Sequence, residues 1–368
     1  MPDKKLDQLN TLIELTALIN STLDTGEIRK RAIEAATKLA GAEAGSLLVI
    51  DRDTGELFFE VALGDKGERL KEIRLKKGEG IAGWVAEKGE PLIIHDVQSD
   101  PRFYKGADTK SEFVTKDMIC VPVKTKDKIL GVLQTINKKA GTFNEEDAEI
   151  LSALANQVAV AIENANLYQE LKDAFYGTAQ ALAETIEKRD PYTGGHTKRV
   201  MNYSLAIGRM LGLNRAELEN LKLSAILHDI GKIGVRDSVL LKESRLDPAE
   251  LEAMNMHPKY GSDILSHVKQ LKDVIPGMRG HHEKYDGTGY PDGLKGSEIP
   301  LTARIIAVAD TFDAMTTDRP YRKALSAESA FEELRKYAGR QFDPAAVEAF
   351  FTAWSEIRRG GKEMEIIL

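Results

Sequence analysis

The chain changes character once along its length: strand-like runs fill the first part and nearly vanish from Leu182 onward. That shift limits the fold to two differently built parts, because one mixed domain would keep both periodicities throughout. In the first part, residues 46–50 (SLLVI) and 56–62 (ELFFEVA) are rich in β-branched and aromatic residues, with Asp53-Thr54-Gly55 as turn between them, a hairpin signal. Residues 91–95, 118–123 and 128–136 read as further strands. Helical patterns cover residues 5–20 and 26–40, and a short helix is expected at 81–86. Residues 145–187 contain no proline, and their apolar positions Ile150, Leu154, Val158, Ile162, Leu171, Phe175 and Leu182 start at heptad-like spacing and slip in phase near Leu171. A continuous helix joining two domains, paired with its copy in a homodimer, fits this pattern; a core helix of one domain is the alternative. Beyond it the pattern predicts helices at 199–211, 215–227, 248–254, 258–266, 303–316, 326–337 and 344–355. The expected class is α+β overall, with an N-terminal antiparallel sheet flanked by helices over residues 1–165, a connecting helix at 145–187 and an all-α domain at 175–368.

Composition narrows the partners. The 368 residues are 42% hydrophobic and 30% charged, as in a globular protein of two ordinary domains. A net charge of −7 argues against sequence-independent binding to a nucleic-acid polymer, which needs a basic face. Cys120 is the only cysteine, so neither a disulfide framework nor a thiolate zinc site is expected. The N-terminus lacks a signal-peptide core, and no apolar stretch approaches the ~20 residues that span a bilayer. A cytoplasmic location is expected, with no membrane span.

The chain has seven histidines, and five of them (His196, His228, His257, His281 and His282) fall in the C-terminal half at positions that read as ligands. His228-Asp229 interrupts the apolar run Ala225-Ile226-Leu227…Ile230. Burying such a pair without partners is costly, and a bound metal supplies them. With Asp310 this makes seven candidate nitrogen and oxygen ligands. If the helix runs through both, His228 and Asp229 point about 100° apart. Lys232 lies on the face of His228 if that helix continues, or reaches the site from a loop if Gly231 breaks it. His257, preceding Pro258, is expected at a helix start. His95 and His267 match no motif and read as structural; Trp84, Phe103 and Phe113 read as core.

Two families are resembled. Gly78-Glu-Gly-Ile-Ala-Gly-Trp84, the order of strands, and Asn137-Lys138 followed by Phe143 and Asp147 resemble a GAF domain, over roughly residues 8–167. Ala148 follows Asp147, so the pattern of cyclic-nucleotide-binding relatives is matched only in part. The C-terminal part resembles HD-GYP domains over roughly residues 175–365. The matching strings are Asp190-Pro-Tyr-Thr-Gly-Gly-His-Thr-Lys-Arg-Val200, His228-Asp-Ile-Gly-Lys-Ile-Gly-Val235, His281-His-Glu-Lys-Tyr-Asp-Gly-Thr-Gly-Tyr-Pro291, Ala307-Val-Ala-Asp-Thr-Phe-Asp-Ala-Met315 and Asp318-Arg-Pro-Tyr-Arg322.

The resemblance implies hydrolysis of cyclic di-GMP to pGpG, and on to GMP in some members, at a di- or tri-metal centre. It places His196, His228, Asp229 and Asp310 around one metal, and Asp229, His257, His281 and His282 around the other. Imidazole with carboxylate suits iron or manganese. Tyr192 stands where some members have a glutamate ligand four residues before the first histidine, so two metals are expected rather than three. Lys232, Tyr290, Arg319 and Arg322 are expected to contact substrate, with Asp190 and Thr193; Arg322 replaces a common lysine and keeps its charge. Asp229 and Lys232 are the expected catalytic residues, and Asp313 is expected to support the ligands. A small-molecule ligand is implied for the GAF-like part, and signalling proteins as partners. Rival readings are another HD-type nucleotide or cyclic-dinucleotide phosphohydrolase, and a non-catalytic cyclic di-GMP receptor.

Overall fold

The structure, a computed structural model, describes residues 2–62, 72–111, 113–126, 128–189, 194–242, 244–318 and 323–359. It divides into two units, Met1–Lys172 and Asp173–Leu368. The first opens with helices α1 (Pro2–Ile19) and α2 (Thr25–Ala40), the latter started by Asp24, whose carboxylate accepts from Glu27 N at 2.9 Å. Strands β1 (Ala42–Ile50), β2 (Leu57–Ala62) and β3 (Arg74–Leu75), helix α3 (Gly80–Lys88), strand β4 (Leu92–Ile94), helix α4 (Gly106–Ser111) and strands β5 (Met118–Lys124) and β6 (Ile129–Lys138) follow. The six strands form one antiparallel sheet in the order β3-β2-β1-β6-β5-β4.

Alternation along the strands divides the core between the two faces of the sheet. Leu47, Ile119, Val121, Val123 and Leu133 join Ile28 and Ile33 of α2 on one face. Leu48, Phe59, Met118, Cys120 and Val132 join Ile81 and Val85 of α3 on the other, where Trp84 and Phe103 also pack. Phe113 is half-buried. Strand β1 begins earlier than its apolar run, because the small residues Ala42, Ala44 and Gly45 pair with Lys138, Ile136 and Thr135 of β6. Neither β3, with two residues, nor α4, with six, is long enough to show a period.

The Asn137…Asp147 motif builds the junction between β6 and the next helix. Asn137, at φ 57°, donates to Glu43 Oε2 and Val114 O, both at 2.9 Å, and accepts from Lys116 N at 2.8 Å. Asn144 and Asp147 cap reciprocally, each side chain accepting from the other's amide at 3.0 Å, while Lys138 pairs with Asp147. Helix α5 (Glu145–Arg189) starts there and runs unbroken for 45 residues. Leu151, Leu154, Val158 and Ile162 of α5 belong to the first unit's core, and Ala179, Ala183 and Ile186 to the second's.

The second unit is helical: α6 (His196–Met210), α7 (Arg215–Leu227), a 3-10 turn (Ile230–Gly234), α8 (Asp237–Leu240), α9 (Pro248–Asn255), α10 (His257–Leu265), α11 (Ile275–Arg279), α12 (Leu301–Thr316), α13 (Ala327–Lys336) and α14 (Pro344–Arg359). Phe312 and Phe350, each 1% exposed, stack edge-on at 4.8 Å amid Tyr203, Phe331 and Trp354. Burial of each such ring stabilises by roughly 2–3 kcal/mol and fixes α12 against α6 and α14. Among the described residues no helix is long and apolar enough to cross a membrane.

Candidate metal centre

Five chain segments deliver the candidate ligands, each at a helix end or on a helix face. His196 is the first residue of α6, and His257 the first of α10, followed by Pro258. His281 and His282 follow α11. Asp310 and Asp313, three apart on α12, share a face. The His228-Asp229 pair departs from one expectation. Helix α7 ends at Leu227, His228 caps it, and Asp229 (φ −98°, ψ 4°) opens the 3-10 turn. Gly231 explains the break. A Cβ there would lie 1.8 Å from the His257 carbonyl oxygen, so the turn's backbone rests directly on α10. Lys232 is carried by that turn, its Nζ 2.7 Å from Asp229 Oδ2.

The seven candidate ligands converge. His196 Nε2 lies 3.2 Å from His228 Nε2 and 3.4 Å from Asp310 Oδ1. His257 Nε2 lies 3.4 Å from His281 Nε2 and 3.4 Å from Asp229 Oδ1. Asp229 Oδ2 faces the other way, 3.5 Å from His228 Nε2 and 3.9 Å from His196 Nε2. Ligand atoms lie within 4.8 Å of one another in each of three sets: His196, His228 and Asp310; His228, Asp229 and His281; and His257, His281 and His282.

Hydrogen bonds set the tautomers. His228 Nδ1 donates to Ala225 O at 2.7 Å, His257 Nδ1 to Met254 O at 2.9 Å and His281 Nδ1 to Met278 O at 2.5 Å. A carbonyl only accepts, so each Nδ1 carries the proton and each neutral ring presents an Nε2 lone pair. His196 Nδ1 lies 2.7 Å from Asp313 Oδ2 to the same effect, and Arg199 holds Asp313 from Nε (2.5 Å) and Nη2 (3.0 Å). The His257 and His281 lone pairs, facing each other at 3.4 Å, repel unless a cation lies among them. The donor set therefore fits divalent metal ions.

Four of the five histidines titrate below their ordinary range, which leaves them neutral and free to ligate near neutrality. Burial pushes His257 and His281 down to about 4, and lowers His228 and, still further, His282. Burial lowers His196 too, but the Asp313 hydrogen bond with the Asp310 and Asp229 charges outweighs it and raises its pKa. Burial works against ionised Asp229, yet Lys232 and the surrounding histidines hold it well below the usual carboxylate range.

Tyr290 packs its ring on His282, centroids 4.9 Å apart and planes at 30°. Asp190, Tyr192, Thr193, Arg319 and Arg322 lie outside the described residues. His95 and His267 are exposed and belong to none of the three ligand sets. Sequence reasoning assigned nothing to Glu283, which is 3% exposed and accepts from Asp292, Gly293 and Leu294 N at 2.7–3.1 Å, fixing the loop after Tyr290. Its place beside the histidine doublet was the available signal. Arg199 was missed as well, since its tie to Asp313 spans 114 positions.

Residues 180–346 match the family model of the HD domain, and residues 22–163 that of the GAF domain. The chain is 36% identical over 216 residues to a 3'3'-cGAMP-specific phosphodiesterase 2 of Vibrio cholerae, covering 58% of this chain and 41% of that one. It is 37% identical over 212 residues to the cyclic di-GMP phosphodiesterase response regulator RpfG of Xanthomonas campestris pv. campestris, covering 56% of each. The chain thus spans about half the length of these curated relatives. Among solved structures, the GAF domain of a phosphoenolpyruvate-protein phosphotransferase from Coxiella burnetii aligns with a TM-score of 0.42 and 24% identity, over 45% of this chain and 98% of that one.

Proposed function

We propose that this chain, which carries a GAF domain over residues 22–163 and an HD domain over residues 180–346, is a metal-dependent phosphodiesterase that hydrolyses cyclic di-GMP to pGpG or GMP. The observation that carries this reading is the set of inward Nε2 lone pairs on two sides of Asp229, whose two carboxylate oxygens face different histidines. His196, His228, Asp229 and Asp310 would hold one ion, and Asp229, His257, His281 and His282 the other. Iron or manganese suits these nitrogen and oxygen donors. Two such ions would supply water activation near neutral pH and neutralise phosphate charge. The protein's own part is orientation. Asp313 and the three backbone carbonyls fix the rings, and Lys232 keeps its ammonium beside Asp229, where a scissile phosphate would meet it. Tyr290 offers a ring face beside His282 on which a guanine would stack.

The remaining assignments belong to the same reading. Arg319 and Arg322 grip phosphate or guanine edges, and Asp190 and Thr193 contact the substrate. A small molecule at the GAF domain regulates the site through α5, in a cytoplasmic homodimer that also meets signalling proteins. A mixed cyclic dinucleotide is the second substrate reading, favoured by the relative named as 3'3'-cGAMP-specific. Hydrolysis of both dinucleotides by manganese- or iron(II)-loaded protein, with products separated chromatographically, tests the proposal. Preference for cyclic di-GMP is expected. A fully metallated protein that cleaves only 3'3'-cGAMP would reverse the substrate assignment, and one that binds cyclic di-GMP without turnover is a receptor.

A further inference from the structure

The last turn of α5 reaches two separate parts of the cluster. Helix α6 begins at His196, but its N-cap is Gly195 (φ 71°), which has no side chain to accept from the first amides. The acceptor comes from α5: Glu187 Oε2 accepts from Gly195 N at 3.2 Å, and Oε1 accepts from the Thr197 amide. These two amides flank His196, and a carboxylate at a helix start also meets the positive end of its dipole. Two residues further on, Arg189 grips the 3-10 turn. Its Nη1 donates to Lys232 O (3.2 Å) and Ile233 O (3.1 Å), and its Nη2 to Val235 O (2.9 Å). Nε and Nη2 both donate to Asp237 Oδ1, at 3.0 and 2.7 Å. That turn is opened by Asp229 and carries Lys232.

We propose that Glu187 and Arg189 are positioning residues for the metal cluster, Glu187 setting the place of His196 and Arg189 that of Asp229 and Lys232. This rests on the metal-centre reading above. Residues two apart on a helix project about 200° apart, so the two grips lie on opposite sides of α5. Rotation of the helix end about its axis carries opposite sides in opposite directions and shears His196 against Asp229, whereas a shift along the axis carries both together. A cavity of about 380 Å³, lined by Glu184, Glu187, Lys198, Met201, Lys222 and Ile226, leaves one side of this helix end incompletely packed. Since α5 begins inside the GAF match, a helix from that domain ends on the cluster itself.

The test uses the full chain and manganese(II) alone as probe, followed by electron paramagnetic resonance, with kcat and KM for cyclic di-GMP as a second readout. Glu187→Ala and Arg189→Ala should weaken manganese binding on the order of 10-fold and lower kcat while KM stays within about 2-fold. Glu187→Gln, which keeps one acceptor oxygen, should fall between wild type and Glu187→Ala. Glu184→Ala, one turn earlier and bonded to Gln180, should match wild type. Unchanged manganese affinity and kcat in both alanine variants overturn the proposal. So does an equal loss in all variants, Glu184→Ala included, that follows the urea unfolding midpoint. Wild type that binds no manganese refutes the metal-centre reading and this one with it.

Discussion

Replacement of Gly231 by alanine tests whether the seam between the 3-10 turn and α10 holds the site together. The added Cβ would stand 1.8 Å from His257 O and 2.4 Å from Gly261 N. Both are backbone atoms, so no side-chain rotation relieves the contact. Restoring an allowed separation of about 3 Å means parting the turn from α10 by roughly 1.2 Å. Asp229 and His257 face each other across this seam, at 3.4 Å between Oδ1 and Nε2. Metal–ligand distances tolerate only about 0.2 Å. Forced overpacking costs about 1–3 kcal/mol of stability, and a misplacement of ~1 Å lowers turnover on the order of 10²-fold. Urea denaturation, a manganese-binding isotherm and cyclic di-GMP turnover measure the three consequences. A Gly231→Ala protein with wild-type metal affinity and kcat, whatever its stability, would refute the reasoning, because the seam would then not constrain the ligands.

Further outcomes follow from the same geometry. Asp313→Asn removes the charge that orients His196 and leaves Arg199 facing a neutral amide; metal affinity should fall about 10–100-fold in a binding isotherm. In metal-free protein, His257 and His281 take up protons near pH 4 when folded but near 6.5 when unfolded. Their folded pKa values are depressed, so their contribution is complete above 6.5 and lost as pH falls towards 4, by roughly 3 kcal/mol each. Urea midpoints of metal-free protein between pH 7 and 4.5 should drop accordingly, and a flat profile contradicts the burial argument. Gly177 lies inside α5 with nothing within 4 Å of an added Cβ, so Gly177→Ala should stabilise by up to about 1 kcal/mol in thermal unfolding. Glu283→Gln should loosen the loop after Tyr290 and raise KM more than it lowers kcat, because three amides lose a charged acceptor.

What could be read from the residues had a local cause. Helix α7 spans the same 13 residues that periodicity assigns, because Asn214 and Glu217 close a capping box at its start. The seven candidate ligands were visible because the chain has few histidines and sets His228 beside Asp229 within an apolar run, and the structure brings all seven together. The geometry that aims them was not visible. The 3-10 turn depends on a backbone contact between Gly231 and His257, and Asp313 on an arginine 114 positions earlier. No motif marks Glu187 or Arg189 among the charges at the end of the long helix; their partners appear only once α6 and the turn are folded beside them. The Asn137…Asp147 motif was read for its family likeness, whereas its hydrogen bonds serve a strand-to-helix junction.

Product analysis with anaerobically prepared, iron(II)- or manganese(II)-loaded protein tests the central claim most directly, with His228→Ala and Asp229→Ala alongside. The account expects cyclic di-GMP to be converted to pGpG or GMP by wild type, and both variants to lose turnover along with bound metal. Intact cyclic di-GMP after incubation with wild type whose metal content is verified, or turnover that survives in both variants, would contradict it.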